Sequence, residues 1–227
     1  MSGEHESTAL SRDLPFEPGR SGLLVVDMQN LCAARGRGED ADGEAPPDHY
    51  YYSRLERTVV PNSKLLIEAF RARGLEVVYT VIESLTLDGR DRSLDHKLSG
   101  YNVPKGSEDA RVIEPLAPAG DEIVLPKTAS GVFNATNIEY VLRNIGIDRI
   151  AICGVYTNQC VETAVRDAAD RGFLVTLVAD ACAANSQDAH DAALKTLAGY
   201  ARVLTTAELL SELDAITAVQ YQSRVGA

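Results

Sequence analysis

The sequence predicts an α/β fold, a three-layer αβα sandwich around a mostly parallel sheet of roughly six strands. Three observations predict it. Apolar runs of strand length alternate with helical segments along the whole chain, the pattern of strands joined by crossover helices. The first run, Gly22-Leu-Leu-Val-Val-Asp27, is apolar throughout instead of alternating, as in a strand buried on both faces. A chain of 227 residues, 45% of them hydrophobic, is long enough for one domain with a sizeable core.

The elements follow in order. Residues 1–17 are polar and read as a flexible arm before a single domain over 18–220. After the first strand, residues 31–48 are rich in Gly, Arg, Asp, Glu and Pro and predict a mobile loop. The Tyr50-Tyr51-Tyr52 cluster breaks that polar stretch, either to cover the site or to pack against another subunit. From Pro61 to Arg73, Leu65, Leu66, Ala69 and Phe70 share a helical face, and Gly74 stops the helix. Leu75 to Val81 is the next strand, and residues 84–120 form a long irregular excursion. Glu122 to Leu125 is a strand stopped by Pro126, and Thr136-Asn-Ile-Glu139 matches a capping box opening a helix through Arg143. Ile147 to Cys153 is a strand closing on Gly154; Val155 to Gln159 is a tight connection, and a helix starts at Cys160. Phe173 to Val178 is a strand ending near Asp180, and Ser186 to Tyr200 a helix. Ala201 to Leu204 is a short strand, and Thr206 caps a last helix to Leu213.

The net charge of −11 argues against nucleic acid or an anionic membrane as a partner. It leaves the charge of a small-molecule substrate open, because a site can differ from the surface. No apolar stretch reaches membrane-spanning length, and the first residues show no basic region followed by an apolar core, so a cytoplasmic location is expected. Cys32, Cys153, Cys160 and Cys182 are irregularly spaced with no C-x-x-C pair, which predicts free thiols and no zinc site.

In open α/β sheets the ligand crevice lies beyond the carboxyl ends of the strands. That rule selects Asp27 after the first strand, Lys127 after the third and Cys160 after the fourth. A helix start favours a thiolate, the nucleophilic form of cysteine. A carboxylate can accept the thiol proton, and an ammonium can hold both groups in place. Each residue also has a plain reading: an acid capping a turn, a surface lysine, a small buried hydrophobe. Phe133, Tyr156 and Asn158 flank these three, Asn30 follows Asp27, and Glu83 lies near the end of its strand, so all five are candidates for substrate binding. Phe133 can equally be core, Asn30 a turn residue, and Asn158 or Gln159 a helix cap. His49, His96 and His190 fall in loops or at a helix start, which leaves a Cys–His dyad open.

Three segments, Leu24-Val-Val-Asp27-Met-Gln-Asn30, Leu125-Pro-Lys127 with Gly131-Val-Phe133, and Gly154-Val-Tyr156-Thr-Asn-Gln-Cys160-Val, resemble the isochorismatase-like cysteine hydrolases in family order. The resemblance implies a catalytic triad of Asp27, Lys127 and Cys160. It also implies a cis peptide between Val155 and Tyr156, and an oxyanion hole from the backbone N–H groups of Tyr156 and Cys160. Its implied chemistry is hydrolysis of a C–N bond in a small amide, carbamoyl or ureido compound through a thioester, with ammonia or an amine leaving. It further implies a homo-oligomer, a dimer or tetramer. Relatives that are nicotinamidases carry an Asp-x-His…His cluster after the second strand. Here that region reads Thr80-Val-Ile-Glu-Ser-Leu-Thr-Leu-Asp-Gly-Arg90 and has no histidine before His96, so no metal and no cofactor are expected. Isochorismatase-type or nicotinamidase-type hydrolysis is the alternative. Beyond these stand a redox sensor, with Cys153 or Cys182 resolving an oxidised Cys160, and a non-catalytic interaction domain.

Overall fold

Six apolar runs become six strands in the computed structural model, which describes residues 11–216. They are β1 (Ser21–Val26), β2 (Glu76–Ile82), β3 (Ile123–Lys127), β4 (Arg149–Val155), β5 (Leu174–Ala183) and β6 (Arg202–Leu204). All pair in parallel, in the order β3-β2-β1-β4-β5-β6. β1 and β4 lie at the centre and are buried along their whole length, which is why they read as unbroken apolar runs. The helix over residues 50–72 and Thr206–Asp214 pack together against one part of the sheet; Glu162–Asp170 packs on β5 with Gln187–Leu197 beside it. The chain runs outward in one direction from β1 and reverses at β4, so the switch point of this doubly wound sheet lies between the ends of β1 and β4. No helix among the described residues is long and apolar enough to cross a membrane.

Several boundaries differ from expectation, each for a local reason. The arm is not loose up to residue 17. Phe16 is buried edge-on against Phe70, its N–H donates to Glu212, and Arg149 donates to the Pro15 carbonyl. Residues 1–10 and 217–220 lie outside the described residues. The first long helix starts at Tyr50, not Pro61. Tyr51, Tyr52, Leu55 and Val59 are buried along it, and a π turn over Leu55–Val59 precedes the proline. That wider turn absorbs the missing N–H of Pro61 within the helix. Leu65 is 48% exposed and Ile67 takes the inward position. Burial of Tyr51 and Tyr52 within the fold removes them from any free subunit-contact surface.

Pro126 lies inside β3 and does not end it, because β3 is an edge strand whose outer side needs no donor. Thr136 and Glu139 form no capping box. The Thr136 hydroxyl donates to the Val132 carbonyl and accepts from Ile138 N–H, while Glu139 pairs with Arg171. The reciprocal box forms at Thr205 and Glu208 instead. Thr206, the expected cap, is buried and donates its hydroxyl to Asp180. β5 continues through Asp180 to Ala183 because that carboxylate is satisfied by Thr206, and Cys182 is therefore within the strand.

Candidate active site

The backbone turns abruptly where β1 ends. Asp27 has φ 53°, its N–H donates to the Thr80 carbonyl at 3.0 Å, and the Thr80 hydroxyl donates to Asp27 Oδ1 at 3.1 Å. Gln29 fastens the turn to β2. Its amide accepts from Ile82 N–H at 2.6 Å and donates to the carbonyls of Ile82 and Asp109. On the neighbouring strand Gly154 has φ 121°, and a Cβ there would meet the Val26 carbonyl oxygen at 2.1 Å. Only glycine allows β4 to bring the next residues this close to the end of β1. The peptide bond between Val155 and Tyr156 is cis. The following helix begins with a π turn at Thr157–Val161, which places Cys160 in the first turn and not at the first residue. Neither Asn158 nor Gln159 caps it; Tyr156 holds that position without a side-chain bond.

Asp27, Lys127 and Cys160 meet beneath this turn. Lys127 Nζ lies 2.8 Å from Asp27 Oδ2, donates to Cys160 Sγ at 3.4 Å and to the Ala129 carbonyl at 3.0 Å. All three are buried, at 1%, 0% and 4% exposure. The Lys127 ammonium thus compensates the buried Asp27 carboxylate at Oδ2, while the Thr80 hydroxyl serves Oδ1. Burial pushes the Cys160 thiol up to about 12, Asp27 pushes in the same direction, and Lys127 opposes both. Burial and Asp27 therefore oppose the helix-start thiolate, and a base beside the thiol assists its ionisation. Burial also works against the Lys127 ammonium, but Asp27 and Cys160 outweigh it and raise its pKa. Removing one member of such a pair strands a buried charge and costs about 3–5 kcal/mol.

Asp27 and Cys160 form the floor of a cavity of about 420 Å³, with Lys127 buried behind them. Of the five candidates for substrate binding, the structure brings only Tyr156 to its wall. Asn30 is turned to the Glu108 carbonyl at 2.9 Å, and Glu83 accepts from Gly106 N–H at 2.6 Å. Phe133 is core against Phe173, and Asn158 faces solvent. Glu39, Asp95, His96 and Tyr101 take the places expected of them. They come from the polar stretches 31–48 and 84–120, which fold back over the strand ends. Their only trace in the sequence is that two long polar segments follow strands whose carboxyl ends need a cover. Tyr51 stacks on Tyr156 with ring centroids 4.8 Å apart and donates to the Cys32 carbonyl, so the tyrosine cluster backs the site. His96 is buried in the wall, and burial and Lys127 lower its pKa.

A second polar network braces the Cys160 turn from behind. The Thr157 hydroxyl lies 2.8 Å from His190 Nδ1, and Arg54 Nη2 lies 2.9 Å from His190 Nε2. Arg54 can only donate, so Nε2 accepts and the imidazole is neutral with its proton on Nδ1. Burial and the Arg54 charge lower His190 to about 4. Unfolded His190 binds its proton near 6.5, so stability falls as pH drops from there toward 4, by about 1.4 kcal/mol per pH unit. The four buried thiols act at the other end. All are raised from 9.0 by burial, Cys153 and Cys160 to about 12. In the unfolded chain they ionise first, so stability falls again as pH rises above 9, with a similar slope for each thiol. Urea unfolding midpoints are expected to plateau between these limits and decline on both sides. A flat profile down to pH 4, with no change of slope in His190→Gln, would contradict the neutral buried imidazole.

The isochorismatase-domain family model matches residues 21–208. Enterobactin synthase component B of Escherichia coli strain K12 is 31% identical over 199 residues, which cover 87% of this chain and 65% of that protein. The chain thus matches just under two thirds of the length of that relative. Among solved structures, a cysteine hydrolase from Pseudomonas syringae pv. phaseolicola 1448A superposes with a TM-score of 0.77 at 28% identity, covering 90% of this chain and 97% of that one. N-carbamoylsarcosine amidase from Thermoplasma acidophilum superposes at 0.64 with 29% identity, covering 82% and 96%. The match to the family model spans β1 through β6 and so contains Asp27, Lys127 and Cys160; this chain belongs to the isochorismatase family of hydrolases.

Proposed function

We propose that the protein hydrolyses a C–N bond in a small amide, carbamoyl or ureido compound, with Cys160 as nucleophile. The observation that carries this reading is the contact of one buried lysine ammonium with both the Cys160 sulfur and the Asp27 carboxylate, two groups that line the cavity. The thiol proton passes to Asp27 as sulfur attacks the carbonyl carbon. The backbone N–H groups of Tyr156 and Cys160 hold the oxyanion, each such donor contributing about 3–4 kcal/mol. The C–N bond then breaks, and the Asp27 proton leaves on the nitrogen. Water gives a proton to Asp27 and attacks the thioester; the C–S bond breaks, the acid leaves, and sulfur recovers its proton. Likeness to an amidase and to a cysteine hydrolase supports this direction.

Isochorismatase-type cleavage of a vinyl ether is the second reading, supported by the family model. That reaction needs no sulfur nucleophile, so Cys160 in contact with Lys127 favours the first. The test is ammonia release from a panel of carboxamides, carbamoyl compounds and ureido acids, with intact-mass detection of an acyl adduct. A turned-over amide with an adduct on Cys160 is the expected result. Cleavage of isochorismate with no amide turned over would favour the second reading.

A further inference from the structure

We propose that the substrate carries a positive charge, an ammonium group a few bonds from the scissile amide, and that Glu39 with Tyr101 and Tyr156 selects it. The proposal rests on the hydrolytic reading above and specifies its substrate class. The walls of the Cys160 cavity hold three carboxylates, Asp27, Glu39 and Asp95, and no Lys or Arg side chain. The nearest ammonium, Lys127, is buried and already bound to Asp27, Cys160 and the Ala129 carbonyl. An anionic substrate would approach carboxylates with no cation left to receive it.

The rim also has a specific shape. Glu39 is exposed on the loop that folds over the cavity. One carboxylate oxygen accepts from the Tyr101 hydroxyl at 2.6 Å and the other from the Tyr156 hydroxyl. Its position is thus fixed by two phenols, while no Lys or Arg among the described residues pairs with it. Both phenol protons are spent on Glu39, so these tyrosines have no donor left for a carboxylate ligand. A carboxylate between two aromatic rings is the arrangement that receives an ammonium group. Asp95 adds a second carboxylate to the same cavity. Beyond Glu39 and Tyr156 lies a second cavity of about 470 Å³, lined also by Asp42 and Glu44. The acidic wall therefore continues outward from the rim.

Three amides of matched length test this: γ-aminobutyramide, valeramide and succinamate, which end in an ammonium, a methyl and a carboxylate. The expected order of kcat/KM is cationic, then neutral, then anionic, with about five- to tenfold between the first two. In Glu39→Gln the cationic-to-neutral ratio is expected to fall toward one, and high salt should reduce that ratio in the wild-type protein. Titration calorimetry of γ-aminobutyramide into Cys160→Ala gives a readout independent of turnover, and adding Glu39→Gln should weaken binding by a similar factor. Preference for succinamate, or a ratio unmoved by Glu39→Gln, overturns the proposal and leaves the amidase reading standing. Tight binding of the cation that depends on Glu39, with no amide hydrolysed, upholds the rim and rejects the amidase reading.

Discussion

Cys160→Ala is expected to abolish amide hydrolysis while leaving the fold standing. Deleting a nucleophile from an enzyme of this kind costs on the order of 10⁶-fold in kcat, because Cys160 is the cavity thiol in contact with Lys127. The change removes only a sulfur atom that borders an existing cavity, so little new void is created and the unfolding midpoint should move slightly. Iodoacetamide should label Cys160 ahead of Cys153 and Cys182, which are buried in β4 and β5 away from the cavity. It should also precede labelling of Cys32, whose thiol is raised by burial and by Glu39 and Asp27. Near-normal hydrolysis by the alanine variant would end the cysteine reading.

Asp27→Asn should cause the next largest loss. The amide keeps the shape and can still accept from Thr80, but it cannot take the thiol proton. Burial and Asp27 raise the Cys160 thiol above its ordinary value, so its ionisation depends on a base. Loss of the base should therefore lower kcat by about 10²–10⁴-fold, in acylation and in thioester hydrolysis alike. The variant also strands the Lys127 ammonium, so its unfolding midpoint must be measured beside its rate. Lys127→Ala separates the two partners. Lys127 is the group that pulls the thiol pKa down, so its loss should shift alkylation of Cys160 to higher pH. Lys127→Arg keeps the charge in a larger, planar group and should restore the profile only in part. An alkylation profile unchanged in Lys127→Ala would mean that the contact at 3.4 Å has no electrostatic consequence.

The sheet was legible because its signal is local. β1 and β4 are central strands buried on both faces, and burial of that kind writes itself as consecutive apolar residues. Asp27, Lys127 and Cys160 were legible for a related reason: each ends or follows a strand, and parallel topology sends strand ends to one edge of the sheet. The helix starts at Tyr50 and Thr157 were hidden by π turns, which change the helical period that a sequence pattern relies on. Thr136 and Thr205 show the same limit in capping. Both precede a glutamate by three residues, yet only Thr205 has its neighbour free to complete the box.

What the sequence alone determined was the fold class, the succession of strands and the identity of the three residues that meet at Cys160. The tertiary structure decided the surroundings of the thiol, where burial and Asp27 raise its pKa and Lys127 opposes them. It also decided the lining of the cavity. Asn30 and Glu83 sit beside strand ends in sequence yet are consumed by the backbone of the excursion. Glu39 and Tyr101 are 62 residues apart and share a hydrogen bond over the cavity. Strand positions follow from nearest neighbours and period, whereas the walls are made by irregular loops. The packing of those loops depends on contacts between distant segments, and no local pattern encodes them.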